Sequence, residues 1–341
     1  MISMEDILNI IVKVRKELGY YYKNMPKIIS VRHDEQENRL YILCGDRPDK
    51  AVLMGPGGRV LFELTRRLSV DFIVVRTYTD LLVREERMVQ AIRKAKRIAE
   101  KCKSKKISKY IWNRLIPLAE EELADLLRRK IRKRNVIDVK TIVAYSGGID
   151  SSATIVYAKN LGGEVIPVTV DPGPFIIPRR LKEKIISFTN SNDLKAFFIK
   201  PSNDFKEIIE NSMDGRYAPC KRCHNIIVET TYRAAGKFQS EIVFFGDLLP
   251  TGSHSIKIEN ELLHVNLPAY LALSKSDTII ISKLNGYNVG KLKYGCPLFR
   301  AVVRRNKHLK LAAYQRVLRE TRAGVLEPNQ ALKLIRSIEK L

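Results

Sequence analysis

Thr141-Ile142-Val143-Ala144-Tyr145-Ser146-Gly147-Gly148-Ile149-Asp150-Ser151-Ser152 decides how this chain is read. A short β-branched run enters a loop of small residues, and a helical pattern, Ser151–Asn160, leaves it. Small side chains let backbone N–H groups converge on an anion, and a helix amino terminus adds positive potential. The hydroxyls of Ser146, Ser151 and Ser152 are further donors. Open α/β sheets bind ligands at the carboxyl ends of their strands, which is where this loop falls. It lacks a Gly-Lys-Ser/Thr ending, so it is not a Walker A loop.

Downstream, short apolar runs alternate with helical ones. Lys140–Ala144, Glu164–Val170, Lys195–Lys200, Glu241–Phe245 and Thr278–Ser282 are predicted as strands. Pro178–Phe188, Phe205–Ser212 and Asn225–Lys237 join Ser151–Asn160 as predicted helices. Such alternation implies right-handed β-α-β units and a parallel sheet covered on both faces. The tail, Ala301–Leu341, is predicted as two basic helices broken near Gly324-Val325-Leu326-Glu327-Pro328.

Upstream, residues 1–80 form a small α/β unit of their own. Glu5–Leu18 places Ile7, Leu8, Ile11, Val12, Val14 and Leu18 largely on one helical face. Strands are predicted at Lys27–Arg32, Arg39–Cys44 and Asp71–Thr77. A short turn around Pro48–Met54 leads into Gly55-Pro56-Gly57-Gly58, and a helix follows over Arg59–Leu68. Residues 81–137 are helical, charged and nearly free of breakers, Pro117 excepted. They carry two basic clusters. Arg93, Lys94, Lys96, Arg97, Lys101, Lys103, Lys105, Lys106 and Lys109 form one, and Arg128, Arg129, Lys130, Arg132, Lys133 and Arg134 the other. Such a segment is either a solvated spacer or a bridge that contacts phosphates.

The 341 residues include 61 Lys+Arg against 37 Asp+Glu, a net charge of +24. That surplus points to a polyanionic partner, nucleic acid first, with a solubility or thermophile-like charge surplus as the alternative. The amino terminus has no secretory pattern and no apolar run is long enough to span a membrane, so a cytoplasmic protein is expected. Five cysteines, an odd number in a long chain, argue against a disulfide framework. Pro219-Cys220-Lys221-Arg222-Cys223-His224 and Cys296 stand out among them. Cys220 and Cys223 suit half a zinc site with His224 or a thiol pair for persulfide transfer, and Cys296 alone reads as a packed core thiol. Placement at a helix amino terminus predicts a lowered Cys223 pKa. Cys44 and Cys102 are read as structural, and His33, His254, His264 and His308 as structural or surface residues.

Two resemblances follow from these residues. Ser146-Gly147-Gly148-Ile149-Asp150-Ser151, after a strand and before a helix, is similar to the signature of the PP-loop (N-type) ATP pyrophosphatases over residues 138–300. The order helix–strand–strand–short helix–Gly-x-x-Gly–helix–strand resembles a type II KH domain. The fold implied is α/β: a parallel, doubly wound, Rossmann-like PP-loop domain of the adenine nucleotide alpha hydrolase kind over 138–300. It would be preceded by a KH-like α+β domain (1–80) and a basic helical linker (81–137), and followed by basic carboxyl-terminal helices (301–341). The PP-loop resemblance implies that Ser146, Gly147, Gly148, Ser151 and Ser152 cradle ATP. It also implies that Asp150 orients the loop or helps hold Mg²⁺, and that Asp171 contacts the nucleoside. Together with Cys220, Cys223 and Cys296, it implies an iron–sulfur-dependent (4Fe-4S) tRNA 2-thiolation enzyme.

The expected enzyme is thus an ATP-dependent, AMP- and pyrophosphate-forming tRNA sulfurtransferase. It would act on a uridine or cytidine with an unidentified sulfur donor, through Cys220, Cys223, Cys296 and Asp150. Gly55, Gly58, Arg59, Arg304 and Arg305 are its candidate RNA contacts, Arg304 and Arg305 within a basic run, Arg300–Arg322, that is otherwise a solvated face. A homodimer is left open. Gly246-Asp247-Leu248-Leu249-Pro250-Thr251-Gly252 departs from the thiolases' Gly-His-Asn-x-Asp-Asp-like segment. The flanking zinc modules of some relatives are absent as well. A 4-thiouridine-type persulfide relay is therefore a close competitor. An ATP-dependent amidating ligase and a non-catalytic RNA-binding nucleotide sensor are the remaining alternatives.

Overall fold

The computed structural model describes residues 2–127, 134–201, 204–290 and 292–341. The chain divides into two compact units, Met1–Glu86 with Glu122–Lys130 and Arg87–Glu121 with Ile131–Leu341. Of the second predicted basic cluster, Arg128 to Lys133 lie outside the described residues, and Arg134 pairs with Glu121 at 2.8 Å.

The first unit begins with helix α1, Met4–Glu17, started by a reciprocal cap in which Ser3 and Asp6 bond each other's backbone N–H groups. Strands β1 (Ile28–Asp34) and β2 (Arg39–Cys44) pair antiparallel, and β2 pairs parallel with β3 (Phe72–Thr77). Between them come α2, Arg47–Met54, capped by Asp46, and α3, Arg59–Arg67. The expected turn near Pro48 is therefore a helix, since Pro48 sits in its first turn, where no N–H is needed. Ile7, Ile11 and Val14 of α1 join Val60 and Leu64 of α3 and the inner faces of the strands in one core.

The helical stretch that follows comprises α4 (Tyr78–Lys101), α5 (Lys105–Tyr110), a π-helical turn over Ile111–Leu115 and α6 (Ile116–Ala124). Pro117 falls in the first turn of α6, which explains why it does not end the helical run.

The larger sheet of the second unit has strand order β6-β5-β4-β7-β9-β8. Its strands are β4 (Lys140–Ala144), β5 (Glu164–Val170), β6 (Phe197–Ile199), β7 (Ile242–Phe245), β8 (Ile256–Glu259) and β9 (Leu262–Asn266). All neighbours pair parallel except β8 and β9, which form an antiparallel edge hairpin. The connecting helices are α7 (Ile149–Asn160), α8 (Arg179–Asn190), α9 (Asp204–Met213) and α10 (Cys220–Lys237). From β4 the chain builds outward through β5 and β6, then returns to add β7 on the other side. The loop after β4 therefore leaves the sheet at its switch point, where α/β sheets open a crevice.

Two expectations are corrected here. Thr278–Ser282 is not a strand but the body of helix α12, Lys275–Leu284, which follows the short α11 (Leu267–Tyr270). Its β-branched run is overridden by a capping box between Ser274 and Asp277. The tail holds three α-helices rather than two: α13 (Pro297–Arg305), α14 (Lys310–Arg322) and α15 (Pro328–Glu339). Phe299, Val303, Val317, Leu334 and Ile338 give them a common core. No helix of the described residues is long and apolar enough to cross a membrane.

Candidate active site

The loop is built by contacts that hold its backbone open to one side. Gly147 has φ +72°, and a Cβ there would stand 2.6 Å from Ile185 Cγ1 and 2.9 Å from Leu181 Cδ1 of α8, so glycine is required twice over. Ser151 Oγ and Ser152 Oγ donate to the Gly148 carbonyl (3.1 and 2.9 Å), and Ser146 Oγ lies 3.1 Å from Ser151 Oγ. The buried Tyr287 hydroxyl donates to the Gly147 carbonyl at 2.7 Å. Ser146 itself is exposed, and α7 starts directly behind Gly148. An anion seated here meets hydroxyls, free N–H groups and the positive end of a 12-residue helix.

Asp150 is engaged by α12. Lys275 Nζ bonds both its oxygens (2.9 and 2.8 Å), and Thr278 Oγ1 donates to Oδ1 at 2.7 Å. Ser282 of the same helix donates to the Ile149 carbonyl at 2.8 Å. The helix that reads as a strand in sequence is thus the brace behind this loop. Gly246, just after β7, completes the support: a Cβ there would lie 2.8 Å from the Ser151 backbone nitrogen.

A cleft of about 1060 Å³ opens in front of the loop. Ser146, Gly147 and Gly148 line it, and so do Cys223, Cys296 and Arg304. Lys184 lines it too, its Nζ 3.9 Å from the centre of the Tyr287 ring, and burial pushes its pKa down. Asp171 ends β5 at the edge of this region; its carboxylate accepts from Gly173 N (3.0 Å) and pairs with Lys182 at 2.5 Å.

Each thiol arrives by a different packing route. Cys220, the first residue of α10, packs on the core of the tail helices, while Cys223 packs beside Phe205, Ile208 and Ile226. Cys296 caps α13, follows the left-handed Gly295 (φ +78°), and is exposed. Burial first, and then Cys296 and Cys220, push the Cys223 thiol up to about 12. The expected lowering is therefore corrected: one helix terminus does not offset an apolar surround and two neighbouring thiols. Cys220 is raised for the same reasons, with Arg316 opposing. Cys223 and Cys296 thus share the cleft wall, and Cys220, which does not line it, packs behind on the tail helices. Among the described residues, however, no group of three or more His, Cys, Asp or Glu is arranged to hold a metal ion.

Asp247 lies in the loop after β7. It is half-buried, and burial raises its pKa against the opposing charges of His224 and Arg316. Arg305 is exposed on α13. In the first unit, Gly55 is buried, with φ +66°, and a Cβ there would stand 2.3 Å from Val60 Cγ2. Gly58 also has positive φ, and Arg59 is exposed at the start of α3. Lys275, Thr278, Ser282, Tyr287, Lys184 and Asp247 carry no motif, so they were not found by pattern. The capping box Ser274-x-x-Asp277 was the one signal that could have placed Lys275 and Thr278 on a helix.

No family model matches the chain. The uncharacterized protein MJ1638 of Methanocaldococcus jannaschii is 33% identical over 196 residues, covering 58% of this chain and 73% of that protein. A solved structure, the U34-tRNA thiolase NcsA from Methanococcus maripaludis with its 4Fe-4S cluster, is 14% identical, with a TM-score of 0.36. That match covers 65% of this chain and 76% of the other, and is too loose to carry a residue-by-residue correspondence.

Proposed function

The chain belongs to the same family as that Methanocaldococcus protein, and for it we propose an ATP-dependent tRNA sulfurtransferase. One observation carries the reading: the anion-cradling loop Ser146–Gly148 and the thiols of Cys223 and Cys296 line a single cleft. A nucleotide phosphate and a sulfur nucleophile would therefore meet around one substrate atom.

In this reading the backbone of Gly147 and Gly148, the hydroxyl of Ser146 and the amino terminus of α7 hold the ATP phosphates, while the buried Ser151 and Ser152 hydroxyls brace the Gly148 carbonyl behind them. Lys184, on the helix packed against Gly147, neutralises the phosphates, and Asp171 borders the nucleoside. The carbonyl oxygen of a uridine or cytidine attacks the α-phosphorus, and the bond to pyrophosphate breaks. Pyrophosphate departs with its charge held by the loop. The base carbon now carries AMP as a leaving group. A sulfur nucleophile at the cysteine end adds to that carbon, and the C–O bond to AMP breaks.

Asp150 accepts from Lys275 and Thr278, which supports a role in orienting the loop, and the acceptor capacity left on Oδ2 is what it would offer to Mg²⁺. The donor set of Cys220, Cys223 and Cys296 fits the soft-ligand preference of iron–sulfur chemistry. These three would hold an iron–sulfur cluster, which when bound supplies an iron with an open position for sulfur. The exposed Cys296 thiol favours a second reading, persulfide relay without iron. A sulfane-sulfur donor leaves a persulfide on Cys296, and its outer sulfur adds to the activated carbon as AMP leaves. Cys223 displaces the thiocarbonyl product by forming a Cys223–Cys296 disulfide, and an external dithiol reduces that disulfide. RNA would be held by Arg304 and Arg305 beside the cleft, and by Gly58 and Arg59 of the first unit, whose helix and strand order supports a KH-like role. Gly55 serves that loop by packing rather than by exposure. The division into a KH-like domain, helical linker, PP-loop domain and basic tail is part of the proposal.

The test is anaerobic purification with iron and acid-labile sulfide measured in wild type and a Cys220/Cys223/Cys296 triple alanine variant, followed by pyrophosphate release on adding tRNA. Iron and sulfide lost in the variant support the cluster. Their absence in a wild type that still releases pyrophosphate on adding tRNA favours persulfide relay. No RNA-stimulated pyrophosphate release refutes the sulfurtransferase.

A further inference from the structure

We propose that a second basic cavity, at the end of the large sheet opposite the nucleotide loop, grips the phosphate backbone of the RNA far from the reacting base. The inference rests on the tRNA reading above and assigns its substrate a second contact surface. The cavity measures about 1050 Å³ and is lined by Lys94, Arg97, Lys101, Lys103 and Lys257. Lys94, Arg97 and Lys101 recur at spacings of three and four, so they share one face of α4. Lys103 comes from the loop after α4, and Lys257 from β8. Three separate elements thus aim cations into one concavity, which a merely solvated helix face does not do.

The charges are left over rather than spent internally. Lys257 pairs with Glu259 at 2.5 Å, and the carboxylate of Glu241 is engaged by the Ser104 hydroxyl. Glu261, on the hairpin turn, is the other acid of the wall. Lys94, Arg97, Lys101 and Lys103 make no ion pair among the described residues. Lys94, Arg97, Lys101 and Lys103 outnumber Glu241 and Glu261 in this hollow, and a chain of phosphates relieves the remaining repulsion while releasing its own counterions.

Position identifies what kind of anion fits. Glu241 immediately precedes β7 and Leu262 starts β9, so the cavity lies at the amino ends of these strands. β4 runs parallel to β7 and gives way to the nucleotide loop at its carboxyl end. At about 3.3 Å per residue, the two sites are roughly 15 Å apart along the strands. No single nucleotide reaches both. A folded RNA does, with its reacting base in the cleft and a distant stretch of backbone in the cavity.

The experiment measures binding of unfractionated tRNA against salt for wild type and a Lys94→Ala/Arg97→Ala/Lys101→Ala/Lys103→Ala variant, with ATP binding alongside. Removal of three to four phosphate contacts makes the slope of log K against log salt shallower by roughly one per contact. ATP affinity stays within about twofold of wild type, because the variant leaves the loop and its braces untouched. The single charge reversal Lys101→Glu gives the same direction of change should the fourfold variant fold poorly. A tRNA affinity and salt slope equal to wild type in both variants overturns the proposal. A wild type that binds no tRNA at all refutes the tRNA reading itself, and this proposal with it.

Discussion

Gly246→Ala tests whether the nucleotide loop is held by backbone contact rather than by its own sequence. The added Cβ would lie 2.8 Å from Ser151 N, 2.9 Å from Ser151 Cα and 3.1 Å from the Asp150 carbonyl carbon. All three are backbone atoms of the first turn of α7, so no flexible side chain can yield. To reach ordinary contact the gap must open by about 0.6 Å, which pushes α7 and its loop off the end of β7. Overpacking of this kind costs about 1–3 kcal/mol, or a fall in Tm of about 2–4 °C per kcal/mol for a domain of this size. Misplacing the N–H cradle by over half an ångström also weakens nucleotide binding, by about tenfold or more. Gly236→Ala is the matched control, because that glycine sits inside α10 with nothing within 4 Å of its Cβ. There the same substitution adds about 0.5–1 kcal/mol of stability. Calorimetry and equilibrium binding of a non-hydrolysable ATP analogue read both effects. Equal Tm and equal affinity for Gly246→Ala and wild type would refute the argument.

Tyr287→Phe removes the donor to the buried Gly147 carbonyl while keeping the ring under Lys184; we expect a loss of about 1–2 kcal/mol in chemical denaturation and weaker ATP-analogue binding. Lys275→Met and Asp150→Asn are each destabilising, but the double variant loses less than their sum, with a coupling of about 1–2 kcal/mol in a double-mutant cycle. Burial pushes the His264 imidazole down to about 4, with the Tyr232 hydroxyl 2.6 Å from Nδ1. Its folded pKa lies below the unfolded value near 6.5, so the unfolded state takes up a proton first. Stability is full above pH 6.5 and falls by up to about 3 kcal/mol as pH drops toward 4. In denaturant titrations across that range, His264→Gln shows a correspondingly flatter profile.

Much of the architecture was legible because its signals are local. The β-branched runs at Lys140–Ala144 and Glu164–Val170 coincide with β4 and β5, and the small-residue loop between strand and helix fixed where the crevice opens. Where sequence misled, two local preferences competed. Thr278-Ile279-Ile280-Ile281 has strand composition, yet Ser274 and Asp277 cap a helix ahead of it, and that helix gains the Asp150 and Ile149 contacts. The β8–β9 hairpin escaped notice because its turn, Asn260-Glu261, takes positive φ without a glycine to announce it. The cysteine spacing showed which thiols to watch, but not that the tail helices bring Cys296 back to Cys220 and Cys223. That depends on a packed core between α13, α14 and α15, formed by residues distant along the chain. The pKa of Cys223 was read wrongly for the same reason: a helix terminus is visible in sequence, and desolvation is not.

In the proposed sulfurtransferase, nucleotide and thiols act on one RNA atom in one cleft. The most direct measurement incubates the anaerobic protein with ATP, unmodified tRNA and sulfide, then digests the RNA and analyses its nucleosides by mass spectrometry. The account predicts a nucleoside heavier by the exchange of one oxygen for sulfur, formed with one AMP per event, in wild type and not in Cys296→Ala. Thiolation that persists in Cys296→Ala, or AMP formation without any sulfur in the RNA, would contradict it.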